Sequence, residues 1–294
     1  MKTTREANEM TNTLELVEAE LQHVQGANGV SYAYRRLGRV NQGVPLVFLQ
    51  HFRGDIDNWD PALVDPIAAE RDVILFDNAG IGASTGVVPS TVAEMAEGAI
   101  SFIEALGFAQ VDLFGFSLGG FVAQAIALSR PAIARRLVLA GTGPQGAAGL
   151  GAWSQDVADR LVLKVQPGGE DLLYVFYAHT PSSQGAGQAS LGRIFQRQSG
   201  RDTGVSLAAK DAQYEAIVAW GEPDGQVAQR LATIAQPTLI LQGDNDIMIP
   251  TEASRTLAEY IPNARITVFA DASHGSIFQY APEAADQTVA FLAD

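Results

Sequence analysis

The sequence predicts an α/β fold: a doubly wound, mostly parallel eight-stranded sheet with a helical cap inserted after the sixth strand. Three observations carry that expectation. Short, wholly apolar runs recur along the chain, each bounded by Gly, Asp, Asn or Pro, and strands that are apolar on both sides belong to a sheet covered by helices on both faces. Helix-forming stretches alternate with those runs, which is how parallel neighbours are joined. One connection, residues 141–236, is far longer than the few residues usual between such elements, so it needs structure of its own.

Taken in order, the polar opening of the chain has no apolar segment, and residues 1–13 are expected to be a disordered tail. Residues 21–25 and 30–36, parted by Gly26-Ala27-Asn28-Gly29, read as a β-hairpin. Fully apolar strands follow at residues 46–49, 73–76, 111–114, 137–140, 238–241 and 266–269, and helices at 92–106, 118–128, 251–260 and 282–293. The hydrophobic core unit is therefore expected to comprise residues 14–143 and 229–294, and the cap residues 144–228. Within the cap, helices are expected near residues 153–165, 170–178 and 211–220, with Ser182-Ser183-Gln184-Gly185-Ala186-Gly187 as a break whose glycines would let loops move for substrate access.

Composition narrows the function. With 47% hydrophobic and 18% charged residues among 294, the chain can bury one large core. Lys plus Arg of 19 against Asp plus Glu of 33 gives a net charge of −14, which disfavours nucleic acid and anionic membrane surfaces as partners. The absence of cysteine excludes disulfides, thiolate catalysis and cysteine-ligated metal. Neither a secretion signal nor an apolar run of about 18 residues is seen, so a cytoplasmic protein, monomer or homodimer, is expected. No cofactor and no metal are expected.

The segment with most chemical content is Asp112-Leu113-Phe114-Gly115-Phe116-Ser117-Leu118-Gly119-Gly120, in which an apolar strand runs into Gly-x-Ser-x-Gly and a helix begins at once. A serine held in a sharp strand-to-helix turn is a presented nucleophile. Its flanking glycines answer to crowding in that turn, and the Leu118 N–H at the helix start is aimed where negative charge develops in acyl transfer. Gly82-Ala83-Ser84-Thr85-Gly86 satisfies the same spelling but leads into Val87-Val88-Pro89 rather than a helix, so Ser84 is expected to be a turn residue. The same loop lacks the third glycine and the helix that a dinucleotide site requires.

A serine hydroxyl needs a base, and of the four histidines, His23, His51, His179 and His274, only His274 follows a late strand. An imidazole must be neutral to accept the proton, so activity is expected to rise with pH through roughly 6 to 7. The carboxylate that orients it is expected at Asp246, with Asp244 capping its own turn and Asp271 a weaker candidate. A second oxyanion donor is expected from the backbone of Phe52 or Arg53, in the loop after residues 46–49. The Arg53 side chain either anchors a substrate carboxylate or pairs with Asp55 or Asp57, and His51 braces the loop.

These residues together resemble the α/β-hydrolase fold family, in particular its cofactor-free members grouped with non-haem haloperoxidases, small esterases and carbon–carbon bond hydrolases. The likeness rests on the loop at His51, Asp77-Asn78-Ala79-Gly80-Ile81-Gly82, the Ser117 turn, Gly243-x-x-Asp246-x-x-x-Pro250 and His274-Gly275. Phe52 stands where the family usually has glycine, and Ala79 where it has arginine. The resemblance implies metal-free hydrolysis through an acyl-enzyme on a Ser-Asp-His triad of Ser117, Asp246 and His274. An ester or related acyl bond of a small to medium apolar substrate fits best, in a mainly apolar pocket formed by Phe52, Phe116, Trp153, Phe176 and Phe278. Peracid formation, C–C bond hydrolysis or lyase chemistry use the same three residues, and a ligand sensor acting through a protein partner is the alternative outside enzymology.

Overall fold

The computed structural model describes residues 15–197, 199–202 and 204–293; the tail expected at residues 1–13 lies outside them. The chain begins with β1 (Gln22–Gln25) and β2 (Ser31–Gly38), then β3 (Leu46–Leu49), a single 3₁₀ turn (Ile56–Asn58), α1 (Pro61–Glu70), β4 (Asp72–Phe76) and α2 (Val92–Ala105). β5 (Val111–Phe116) leads directly into α3 (Leu118–Ser129), followed by β6 (Ala134–Ala140). Five helices then fill the long connection: α4 (Gln155–Leu161), α5 (Gly169–Phe176), α6 (Pro181–Ile194), α7 (Leu207–Gly221) and α8 (Val227–Leu231). The chain closes with β7 (Thr238–Gly243), α9 (Thr251–Tyr260), β8 (Ala264–Phe269), α10 (Ser276–Gln279) and α11 (Ala281–Ala293).

The eight strands form one sheet in the order β1-β2-β4-β3-β5-β6-β7-β8. β1 with β2 and β2 with β4 are antiparallel, and every later pairing is parallel. β3, β4, β5 and β7 are buried along their whole length, which is why their sequences show no polar alternation. Between sheet and helices, Phe48 stacks on Phe114 at 4.7 Å and meets the edge of Trp59 at 4.9 Å. Each such ring contributes about 1.5–3 kcal/mol by leaving water. Among the described residues, no helix is long and apolar enough to cross a membrane.

The inserted region departs from expectation in its detail. The stretch expected to break at Ser182 to Gly187 is the first half of α6, fourteen residues long. Thr180 caps it by accepting from Ser183 N–H at 3.2 Å, and Pro181 occupies its first turn. Gly187 is a packing position, because a Cβ there would lie 2.7 Å from Leu173 on α5 and from Tyr177 just beyond its end. The helix is fastened to the core by polar groups: Ser183 Oγ donates to Gln279 at 2.6 Å, and Ser190 Oγ and the Arg193 guanidinium reach Asp60, at 2.7 and 2.7–2.8 Å. Asp60 itself caps α1, accepting from Ala62 N–H at 2.9 Å. α4 ends at Leu161, short of residue 165, and α7 starts at Leu207 rather than near 211.

Candidate active site

A parallel sheet delivers the C-terminal ends of its strands to one edge, and here the loops after β3, β5, β7 and β8 meet there. Ser117, at the β5–α3 junction, has φ 56° and ψ −118°, a conformation an L-residue holds only when its surroundings impose it. They do. A Cβ on Gly115 would sit 2.5 Å from the Gly119 carbonyl oxygen, and one on Gly119 would strike the Leu49 carbonyl of β3. Thr142 Oγ1 donates to the Ser117 carbonyl at 2.9 Å, and Ser117 N–H donates to Ala140 on β6 at 2.9 Å.

The Ser117 hydroxyl is 2.9 Å from His274 Nε2, and His274 Nδ1 is 2.8 Å from Asp246 Oδ2. All three are buried, His274 to 1% exposure. Asp246 is held in turn: its Oδ1 accepts from Met248 and Ile249 N–H at 2.8 and 2.9 Å, and its Oδ2 from Gln242 Nε2 at 3.1 Å. With Asp246 accepting, His274 Nδ1 is the donor and Nε2 is left to accept from the serine. Asp244 instead accepts from Ala272 N–H at 3.1 Å, and Asp271 from Thr180 Oγ1 at 2.8 Å. His23 stands exposed on β1, and His179 contacts the Tyr174 carbonyl in the inserted helices. Ser84 donates to the Asp77 carbonyl at 2.7 Å and accepts from Ala33 N–H at 2.8 Å.

The loop after β3 carries the remaining candidates. Arg53 has φ 62°, which costs a residue with a side chain roughly 1–2 kcal/mol. Its guanidinium pairs with neither Asp55 nor Asp57; it donates to the carbonyls of Leu161, Lys164 and Val165 at 2.6–2.9 Å, closing the C-terminal end of α4. A substrate-anchoring role and an ion pair with those aspartates are both set aside. The Arg53 N–H donates to Gln213 Oε1 on α7 at 2.9 Å, whereas the N–H groups of Phe52 and Leu118 bond to no other described residue. His51 Nδ1 donates to the Phe52 carbonyl at 2.8 Å, and burial pushes this imidazole down to about 4, so it is neutral near pH 7.

A cavity of about 440 Å³ opens over Ser117 and His274 between the sheet edge and the inserted helices. Phe52 and Phe176 line it, with Leu161, Leu172, Val205 and Met248. Of the other expected pocket residues, Phe116 is fully buried, its ring 5.0 Å from that of His274. Successive strand residues face opposite ways, so Phe116 turns into the packing against the imidazole. Trp153 lies behind Phe52, 5.6 Å between ring centroids, and donates to the Met248 carbonyl at 3.0 Å. Phe278 borders a separate small void of about 30 Å³ with Phe176 and His51. The cavity is mainly apolar, as expected, but Asp55, Asn58, Arg201 and Asp202 give it a polar wall. Burial, then the neighbouring Asp202 and Asp57, pushes the Asp55 carboxyl up to about 7. Oxygens of Asp55, Asp57 and Asp202 lie within 4.8 Å of one another, but Arg35 and Arg197 reach Asp57 at 3.3 and 3.5 Å and already supply the balancing charge.

Two residues at this site escape a reading of the sequence. Gln242 had a usable signal, a polar residue closing an otherwise apolar strand just before Gly243. Gln213 had none: a single glutamine on a surface-like helix, 160 positions from the amide it accepts.

A family model for the α/β hydrolase fold matches residues 44–280. A 2-hydroxymuconate semialdehyde hydrolase of Pseudomonas putida is 31% identical over 243 residues, covering 76% of this chain and 78% of that protein. A 2-hydroxy-6-oxononadienedioate/2-hydroxy-6-oxononatrienedioate hydrolase 2 of the same organism is 29% identical over 277 residues, covering 87% and 90%. Among solved structures, an alpha/beta hydrolase fold protein from Chitinophaga pinensis superposes with a TM-score of 0.89 at 36% identity, covering 95% of this chain and 99% of that one.

Proposed function

The chain belongs to the α/β-hydrolase fold family and is a hydrolase, and from that premise we propose that it cleaves a carboxylic ester or related acyl bond through an acyl-enzyme. Ser117 Oγ attacks the carbonyl carbon while His274 Nε2 takes its proton. Asp246 keeps the imidazole in the tautomer that can accept and stabilises the imidazolium that forms. The oxyanion is received by the unpartnered N–H groups of Leu118 and Phe52. Collapse of the tetrahedral intermediate returns the proton to the leaving alcohol, and a water activated by His274 then releases the acid. Helices α4–α7, within residues 144–228, act as a cap that closes the cavity over these groups.

The observation that carries this reading is the buried chain Ser117–His274–Asp246, with contacts of 2.9 and 2.8 Å. The test is labelling by a fluorophosphonate, followed by turnover of p-nitrophenyl acetate in wild type and in Ser117→Ala. Labelling at Ser117 and loss of turnover in the variant are expected; an adduct on Ser84 would overturn the assignment.

A second reading, hydrolysis of a carbon–carbon bond in a vinylogous diketone, is supported by the two Pseudomonas putida relatives, which are named as hydrolases of 2-hydroxymuconate semialdehyde and of 2-hydroxy-6-oxononadienedioate or its triene counterpart. A panel of esters, lactones and vinylogous diketones separates the two by the ratio of their kcat/KM values.

A further inference from the structure

The peptide unit joining Phe52 to Arg53 is gripped at both ends. Its carbonyl accepts from His51 Nδ1 at 2.8 Å, and its N–H donates to the Gln213 side chain at 2.9 Å. With that plane fixed, the rotations available to Phe52 are restricted, and the direction of the Phe52 N–H, one peptide earlier, is restricted with them. Arg53 φ is 62°, a backbone state that persists only while its neighbours impose it. Gln213 is 2% exposed, so no bulk water stands ready to replace its oxygen.

We infer that Gln213 is a positioning residue for the oxyanion donors: from α7 it fixes the 52–53 peptide and thereby the aim of the Phe52 N–H. This deepens the acyl-transfer reading and rests on it. The same loop residue is held by a second inserted helix, since the Arg53 guanidinium closes the end of α4 through three carbonyls. The inserted helices therefore grip the oxyanion loop by main chain and by side chain at one residue. Transition-state stabilisation is coupled to the seating of the insertion, through a bond that touches neither substrate nor nucleophile.

Removing the acceptor leaves the Leu118 N–H in place and only misdirects its companion. The loss is thus smaller than the ~10²–10³ typical for deleting a donor. For Gln213→Leu, kcat on p-nitrophenyl acetate is expected to fall about 10–100-fold with KM within about twofold and the pH midpoint unmoved. Affinity for a trifluoromethyl ketone, whose hemiketal oxygen requires both donors, should fall by the same factor, while inhibition by acetate does not change. Gln213→Glu keeps an acceptor oxygen on the same stem and should recover most of the lost rate; Gln213→Met, closer in volume, replaces the leucine variant if that one does not fold. An unchanged kcat in Gln213→Leu or Gln213→Met overturns the inference, as does a loss of affinity for acetate equal to that for the ketone. If wild type neither labels at Ser117 nor turns over ester, the acyl-transfer reading itself fails; if it does both, a null result at Gln213 concerns Gln213 alone.

Discussion

Residues 115–119 and 82–86 share the pattern Gly-x-Ser-x-Gly, yet the chain puts the two hydroxyls to opposite uses. Among the described residues, Ser117 Oγ bonds to a single group, the imidazole of His274. Ser84 Oγ both donates, to the Asp77 carbonyl, and accepts, from Ala33 N–H, so neither its proton nor its lone pair is offered outward. The glycines differ as well. Those around Ser117 make room for backbone, the Gly119 main chain and the Leu49 carbonyl, whereas a Cβ on Gly82 would meet the Asp77 carboxylate. The pattern therefore records a need for space, and only the passage from strand to helix turns that space into a presented nucleophile.

The sharpest way to break the comparison is at the serines themselves. Ser117→Ala should cut turnover of a p-nitrophenyl ester by about 10⁶ while leaving the Tm nearly unchanged; a surviving rate would erase the distinction drawn between the two segments. Asp246→Asn keeps the shape and the contacts to Met248 and Ile249 but reverses the tautomer of His274, and a fall in kcat of about 10⁴ is expected from steady-state kinetics. Ser84→Ala should do the converse of Ser117→Ala. It strands the Ala33 N–H in a buried setting, so urea denaturation should record a loss of about 1–3 kcal/mol with kcat/KM preserved.

The smallest effect concerns the polar wall of the cavity, adjoining the Ser84 loop. The folded Asp55 carboxyl holds its proton to about pH 7, whereas the unfolded chain releases it near 3.8. Between those values the folded state binds the extra proton, so this group's contribution to stability declines as pH rises through the window and is level above it. Asp55→Asn, which can still cap the 3₁₀ turn, should flatten the dependence of Tm on pH between about 4 and 7. A slope equal to that of wild type would place the titration on another group.

The sheet was legible because burial on both faces writes itself as runs that are almost wholly apolar, and β3, β5 and β7 are found where those runs stand. The junction at Ser117 was legible because the spelling Gly-x-Ser-x-Gly sits where an apolar strand passes straight into a helix, although Gly119 is required by the distant Leu49 carbonyl and only Gly115 by residues close in sequence. In the insertion α4, α5 and α7 stand near the helices expected there, but α6 was not legible, since it is held by Ser183, Ser190 and Arg193 bonding to residues far away in sequence, and a Gly/Ser-rich composition alone reads as a break. Aromatic identity was also a poor guide to the cavity. Phe116 and Trp153 are large and near the site, but one backs the imidazole and the other backs Phe52. Arg53 misled for a different reason: its partners are carbonyls, which every residue has.

Asp60 is fully buried and answers to both parts of the molecule, starting a helix of the core while receiving Ser190 and Arg193 from the insertion. Replacing the inserted helices by others without these donors would leave an anionic group unpaired in the interior, a change costly enough to threaten folding. An insertion of different sequence is therefore compatible with this sheet only when it brings donors to position 60, or when that position changes with it.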